Sequence, residues 1–468
     1  MATRREMMRL AGAGGAIAAG LGGVRAWGQA GAKYRVDVEH PRLLLPQRRA
    51  RLIRREQERD TMRWSQFKTL VEGGTKFPEP GFAMATYYMA SGNQERGRQA
   101  VEWALGAGSD LRQLAIVFDW CQLLMSKEEA AKLEAKLRAG LAKEAGKGPG
   151  VGTGVEAWRS RLFAAVALAG HGADVLSKTV EGLYEGWWEK TIAAKVKAGE
   201  MVFQPQEHFA LYELFHVMRD NLDLDLRESA AKYFATLPVF HILAHYPAPY
   251  PGSENEWRIP IMKAHGEPDL RVAAQSRAAA LAMVAYDSNA QESQFLQGWL
   301  IQDRFLMRGP YSIPYEFLWA NPYQPGLSYH YLPNIFHDPI SGRLVVRSTW
   351  DEDAVWFYQS GGTRQMFREG KVVNLDKAAL DQPVAMGNTT LLTLPASGRF
   401  GVETGEEKSH YYVFGLTAGM PYEVEVDDEE MYEARPDKGG VLELVFGAKR
   451  RAVVIVRRAA KGGDRLGG

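Results

Sequence analysis

The apolar positions of this chain change their spacing at about Pro322. From about Pro41 to Phe317 they recur at helical spacing, in stretches that short loops separate. Residues 111–124 are apolar on nearly all sides, which predicts an inner helix, and Ser126 before an acidic turn predicts the start of the next helix. Short loops between helices favour antiparallel hairpins. Further helices are predicted over 175–198, 207–219, 226–245, 269–286 and 290–308.

The remainder of the chain consists of short stretches rich in Val, Thr, Leu and aromatic residues, which Gly, Pro, Asn and Asp separate. This pattern is typical of an antiparallel β-sandwich. Strands are predicted at 342–348, 354–358, 389–394, 411–416, 440–446 and 452–456. The fold class predicted is therefore a helical domain over 38–321, then a β-sandwich domain over 322–458 and a flexible polar tail over 459–468.

The N-terminus has the pattern of an export signal. Arg4 and Arg5 precede a Gly/Ala-rich apolar run, and small residues around Ala30 suit a signal peptidase. Paired arginines before such a run are typical of twin-arginine export, and the run is too short to span a membrane. We expect residues 1–30 to be removed as the folded protein reaches the periplasm or the medium, with no membrane span afterwards.

Charge and cysteine content exclude several kinds of function. The 57 basic and 56 acidic residues nearly balance, which argues against a nucleic-acid partner. The single cysteine, Cys121, lies in an apolar helical stretch, so we expect it to be buried and expect neither an internal disulfide nor a cysteine metal site. Aromatic residues make up 11% of the chain, which suits either a large core or stacking against sugar rings.

Four segments together resemble the heparinase II/III-like and alginate-lyase-like polysaccharide lyases. They are His40–Leu45, Leu114–Trp120, Glu156–Trp158 and Gly342–Asp351, in the family's order. The resemblance implies an (α/α) toroid of helical hairpins packed against a β-sandwich, with a cleft for acidic polysaccharide between them. It also implies cleavage by β-elimination next to a uronic acid carboxylate.

The resemblance also assigns positions to the family's catalytic groups. His208 matches the position that neutralises the substrate carboxylate. The family tyrosine is missing from the matching stretch 251–258, although Tyr246 and Tyr250 lie just upstream. The His-x-His of the family's β domain corresponds to residues 363–368, which contain no histidine.

Two groups of histidines have the spacing of a helix face. His208, Tyr212 and His216 follow each other at intervals of four residues, and His241 and His245 are also four apart. Such pairs suit metal ligands, but also groove-lining or buried, hydrogen-bonded histidines, because the acidic residue of helix-borne zinc motifs is missing. We expect no metal and no cofactor.

The loop 245–258 contains most of the chemically active residues. Tyr250 and His245 are candidates for proton transfer, Arg258 for binding a carboxylate, and Trp257 for stacking on a sugar. The charged residues of this loop also have a simpler interpretation, because they could form ion pairs with each other or with Arg271 and Arg277.

Carboxylates offer a second chemistry. Glu254 or Glu256 with Glu207 would form the acid pair of a glycoside hydrolase. His337, before the first predicted strand, would either replace the missing β-domain histidine or occupy a turn before Pro339.

Three functions follow. The first is a lyase acting on uronic-acid glycan, with His208, Tyr250, His245 and Glu256 as catalytic candidates and Arg258, Trp257, Glu207, Tyr212 and His337 as substrate-binding candidates. The second is a hydrolase on the same scaffold, and the third is a glycan-binding protein without turnover.

Overall fold

A computed structural model gives the architecture of the chain. It describes residues 33–37, 39–146, 153–200, 203–251, 256–262, 266–302, 307, 309–375, 380, 382–395 and 397–459. The predicted signal peptide, most of the predicted tail and Glu254 lie outside the described residues. Among the described helices, none has the length and apolarity to cross a membrane.

Helices dominate the first part of the chain. Their bounds are α1 Gln47–Glu58, α2 Met62–Glu72, α3 Pro80–Ser91, α4 Gln94–Leu105, α5 Leu111–Trp120, α6 Lys127–Gly146, α7 Val155–Ala167, α8 Val175–Glu181, α9 Ala194–Lys197, α10 His208–Leu222, α11 Ala231–Leu243, α12 Leu270–Tyr286, α13 Gln291–Ile301 and α14 Ile313–Trp319. A π-helix, Gly182–Ala193, joins α8 to α9, so the helix predicted over 175–198 is continuous but wider in its middle.

Side-chain caps explain several helix starts. The prediction for Ser126 is confirmed, because its Oγ accepts a hydrogen bond from Glu129 N while Ser126 N donates to Glu129 Oε2. Asp110 caps α5 by accepting from Gln113 N. All ten residues of α5 are buried, and Cys121 after it is buried too, as predicted.

The buried helices contact each other in chain order. Helix α5 packs against α3 and α7, α10 packs against α7 and α12, and α14 packs against α12. Helix α14 also contacts α1, α2 and α3, so the last helix of the region returns to the first ones.

The second part of the chain forms strands. A small hairpin, β1 Tyr250–Pro251 and β2 Glu256–Trp257, precedes them within the helical part. The remaining strands are β3 Ile335–Asp338, β4 Arg343–Arg347, β5 Trp356–Ser360, β6 Thr363–Arg368, β7 Lys371–Asn374, β8 Val384–Met386, β9 Thr389–Thr393, β10 Gly398–Glu403, β11 Ser409–Phe414, β12 Tyr422–Val426, β13 Glu430–Ala434, β14 Leu442–Phe446 and β15 Arg451–Arg458.

These strands form three larger sheets. The first has the order β3-β4-β5-β6-β7, the second β14-β11-β9-β8, and the third β10-β15-β12-β13. The prediction of a purely antiparallel arrangement is wrong at one pair, since β9 and β11 run parallel. The acidic residues 351–353 between β4 and β5 form an exposed turn.

The sheets lie in successive layers. The first sheet has one face in the helical core, through Trp356, Tyr358 and Phe367, and packs its other face against the second sheet through Phe357 and Phe414. A separate apolar core joins the second sheet to the third. All residues of β4 and β5 are buried, as expected for strands covered on both faces.

Candidate functional site

The helices and the first sheet meet along α11 and the segment that follows it. The indole Nε1 of Trp356 donates to the carbonyl oxygen of Leu243 at 2.8 Å. The hydroxyl of Tyr246 donates to Oε1 of Gln365 at 2.8 Å, and Met262 N donates to the same hydroxyl. Gln365 in turn donates to the Met262 carbonyl and to Asn374. Tyr246 and Gln365 therefore tie the segment after α11 to strand β6.

Three histidines form a buried row at this junction. His208 Nδ1 lies 3.3 Å from His241 Nδ1, and His245 Nδ1 lies 2.7 Å from the carbonyl oxygen of His241. Ser276 Oγ is 3.1 Å from His245 Nε2. Burial lowers the pKa of all three imidazoles, that of His241 to about 4. The row is therefore neutral at physiological pH. Helix α11, which was predicted to reach residue 245, ends at Leu243, so His245 lies just beyond it, although the rings of His241 and His245 are in contact with their centroids 5.0 Å apart.

His208 differs from its neighbours in one respect. Its Nε2 is buried and has no hydrogen-bond partner among the described residues. An unpaired buried ring nitrogen costs free energy unless a ligand or water contacts it. His208 is therefore the member of the row that has an unused hydrogen-bonding atom.

Trp257 and Arg258, which are adjacent in the sequence, have different surroundings at the hairpin β1–β2. Tyr250 pairs with Trp257 across the hairpin, and both pack over Ala273 and Ala274 of α12. Arg258, the next residue, lies over the Trp299 ring at 4.3 Å. Trp257 and Trp299 are both buried, and it is the Trp299 ring that packs against the Arg258 guanidinium.

Arg258 belongs to a cluster that we name the junction arginine site. Arg258 Nη2 donates to Gln302 Oε1 at 3.3 Å, and the Tyr329 hydroxyl donates to the same oxygen at 2.6 Å. Tyr329 packs edge-on against Trp350, and the Arg347 guanidinium lies 4.6 Å from the Trp350 ring. Its members are Arg258, Trp299, Gln302, Tyr329, Arg347 and Trp350.

The two arginines of this site come from the two parts of the fold. Arg347 ends strand β4 and donates to the carbonyl oxygens of Thr349 and Asp351, with no carboxylate among the described residues in salt-bridge contact. Its pKa is lowered to about 10, first by burial and then by the positive charge of nearby Arg258. A bound anion would stabilise the charged form of Arg347 against its burial and against repulsion by Arg258. The site is therefore suited to a carboxylate or sulfate.

Other sequence candidates have structural partners. Glu207 accepts from Gln204 N through Oε2, which caps the short turn that leads into α10, and from Thr153 N and Thr153 Oγ1 through Oε1. Tyr212 is buried and packs edge-on against Phe215 and Tyr286. Glu256 is exposed on β2.

His337 lies inside strand β3, which corrects its predicted place before the first strand of the sheet. Its Nε2 is 3.0 Å from Asp437, and its Nδ1 is 3.0 Å from Glu443. These two carboxylates raise its pKa to about 9 against the opposing effect of burial. His337 is thus a charged link between the first sheet and the second, away from the junction arginine site.

A cavity of about 390 Å³ also lies between the helices and β3. Its polar lining includes Tyr233, His337, Asp338 and Arg343. Arg343 donates to Asp338 and Ser341 and lies over the rings of Tyr233 and Phe240. These contacts make Arg343 mainly a packing residue between β4 and α11.

Among the described residues, no three His, Cys, Asp or Glu side chains converge in a way that would hold a metal ion. Sequence reasoning missed Trp299, Gln302, Tyr329, Arg347 and Trp350. The aromatic segment 311–331 was the available signal for Tyr329, but the spacing of the others along the chain does not bring them together.

No family model and no curated protein matches the chain. A solved structure named glycoside hydrolase covers 81% of this chain and 72% of its own, with 9% identity and a TM-score of 0.34. That score is below the level at which two chains share a fold, so function has to be inferred from the side chains.

Proposed function

We propose that this protein acts on an acidic glycan and that the junction arginine site holds a carboxylate of the sugar. The observation that carries the proposal is the approach of Arg258 and Arg347, from the two parts of the fold, among the rings of Trp299, Tyr329 and Trp350. Guanidinium groups bind carboxylates with two parallel hydrogen bonds. Trp299 and Tyr329 are buried and position the arginine, whereas Trp350 is partly exposed and is the ring proposed to contact the sugar.

The chemistry proposed is β-elimination. A base removes the proton next to the carboxylate, its electron pair forms a carbon–carbon double bond, and the glycosidic oxygen leaves with a proton. Arginine next to the carboxylate stabilises the charge that develops in this step. Tyr250 is the proposed base, because it pairs with Trp257, the residue next to Arg258. Tyr246 is unsuited, since its hydroxyl already donates to Gln365 and burial raises its pKa. His208 and His245 are proposed to support Tyr250 from the buried row.

The alternative of hydrolysis needs two carboxylates on opposite sides of a sugar. Glu207 is engaged by three hydrogen bonds, and Glu256 lies on the exposed hairpin. Since Glu207 already caps the short turn that leads into α10, it is a poor second member of such a pair. Binding without turnover requires only the arginines and the rings.

The test is incubation of the purified protein with alginates, heparinoids and pectins while the unsaturated product is followed by ultraviolet absorbance. We expect product from a uronic acid polymer, and its loss in Arg258→Ala. Arg368→Ala is the matched control, because that arginine is exposed at the end of β6 and pairs with Glu369. New reducing ends without the absorbance would indicate hydrolysis instead.

Two finer features of the protein are also proposals. We propose that the helical hairpins form an (α/α) toroid, supported by the contacts of α14 with α1, α2 and α3, and that the first two sheets correspond to the sandwich. We propose twin-arginine export because paired arginines precede an apolar run within residues 1–30. N-terminal sequencing of the secreted protein tests the latter, and a protein that still begins at Met1 contradicts it.

A further inference from the structure

Helix α1 carries an unusual excess of positive charge. Its exposed face contains Arg48, Arg51, Arg54 and Arg55. Its buried acid, Glu56, is already paired with Arg63. No carboxylate in the described part of the chain forms an ion pair with the four exposed arginines.

The start of helix α1 has no acidic side chain that would offset this positive charge. The first turn of α1 contains no acidic residue, and Pro46 at the N-cap supplies no side-chain hydrogen bond. Arg48 therefore stands at the positive end of the helix dipole, which is unfavourable for helix stability. Neither the helix nor its packing explains an exposed arginine there, whereas a bound anion would.

Three of these arginines line one groove, which we name the arginine groove. It has a volume of about 540 Å³ and lies between α1, the end of α12 and the segment after α14. Arg48, Arg51 and Arg55 form one wall, and Asn289, Gln294 and Tyr323 are among the residues opposite. Tyr323 is 46% exposed, and the Arg55 guanidinium lies 4.7 Å from its ring.

The composition of the groove indicates the class of ligand. Guanidinium groups bind the oxygens of carboxylates and sulfates, and amide side chains hydrogen-bond to hydroxyl groups. An exposed tyrosine ring adds a flat surface for a pyranose. A volume of this size suits a small ligand rather than a protein partner.

We propose that the arginine groove is a second binding site, for a saccharide unit that carries a carboxylate or a sulfate. It is distinct from the junction arginine site, since the two share no residue. The choice of a saccharide rests on the proposed function, whereas the need for an oxyanion rests on the arginines alone.

The experiment measures binding by calorimetry at low salt, where exposed charges are least screened. The probes are a tetramer of galacturonic acid, a heparin-derived tetrasaccharide and neutral maltotetraose. The variants are Arg51→Ala/Arg55→Ala, the control Arg54→Ala, and Arg258→Ala. Arg54 is a suitable control because it lies on the same helix but lines a different cavity, with His40 and Gln57.

We expect an acidic probe to bind Arg258→Ala, and the added Arg51→Ala/Arg55→Ala change to weaken that binding by about tenfold or more. Because the heparin tetrasaccharide carries both carboxylates and sulfates, binding of tetragalacturonate shows that a carboxylate suffices, whereas binding of the heparin probe alone indicates that sulfate is needed. Unchanged affinity in the double variant, equal weakening by Arg54→Ala, or equally tight binding of maltotetraose would overturn the proposal. Groove binding without any turnover would contradict the proposed function alone.

Discussion

His337 provides the most quantitative prediction. Its two ring nitrogens bind Asp437 and Glu443, and its ring packs edge-on against Tyr412. The pKa of His337 is raised from its ordinary value of 6.5 to about 9, and its side chain is only 10% exposed. A rise of this size corresponds to about 3 kcal/mol of stability for the protonated form.

The pH dependence follows from the sign of the change. Because the folded pKa is the higher one, the stabilisation is complete below pH 6.5 and is lost as the pH rises through about 9. Glu443, whose pKa is lowered to about 2, stays ionised over this range. His337→Gln should therefore lower the free energy of unfolding by about 3 kcal/mol near pH 6, and by much less near pH 10.

Urea denaturation of the wild type and His337→Gln at these two pH values measures the effect. His330→Gln is the control, since that histidine is exposed. An equal loss of stability at both pH values would refute the reasoning, because it would show that His337 acts through packing and not through its charge.

Two further substitutions test the packing. Glu213→Gln removes the charge that holds the buried Arg112 guanidinium at 2.8 and 2.5 Å and that also accepts from Arg159, so we expect a loss of about 3–5 kcal/mol in chemical denaturation. A loss below about 1 kcal/mol would contradict the role of this ion pair. Gly298→Ala places a Cβ at 1.8 Å from the Leu327 carbonyl oxygen, so the segment after α14 must shift. We expect a lower melting temperature, whereas Gly401→Ala, with open space around it, should cost much less.

The helical part was largely predictable because its apolar spacing is strong and local. Residues 111–120 are apolar on nearly all sides, and the structure buries every one of them in α5, including the polar Arg112 and Asp119. The strands were predicted less completely. Strands β7 and β13 have mostly exposed residues, so they lack the apolar runs by which buried strands are recognised. Strand β3 was missed because His337 and Asp338 are polar residues that pair with side chains of other strands and loops.

The candidate site shows a different limit of prediction from sequence. The four-residue spacing of His241 and His245 was sufficient to predict that their rings lie together, because that relation is local, although α11 ends before His245. Arg258 and Arg347 come together only through the packing of β4 against the helical part, and no periodicity links them. Trp299 replaces Trp257 beside Arg258 because neighbouring residues of an extended hairpin point to opposite faces.

The central claim is that the junction arginine site holds the carboxylate of an acidic glycan. The most direct measurement compares Arg51→Ala/Arg55→Ala, in which the arginine groove is weakened, with the same protein carrying Arg258→Ala as well. Both are titrated with tetragalacturonate and with its methyl ester. The account predicts that the first protein prefers the free acid and that adding Arg258→Ala removes this preference, with a weakening of about tenfold or more for the free acid. Equal affinity of the first protein for the acid and the ester, or an unchanged preference after Arg258→Ala is added, would contradict it.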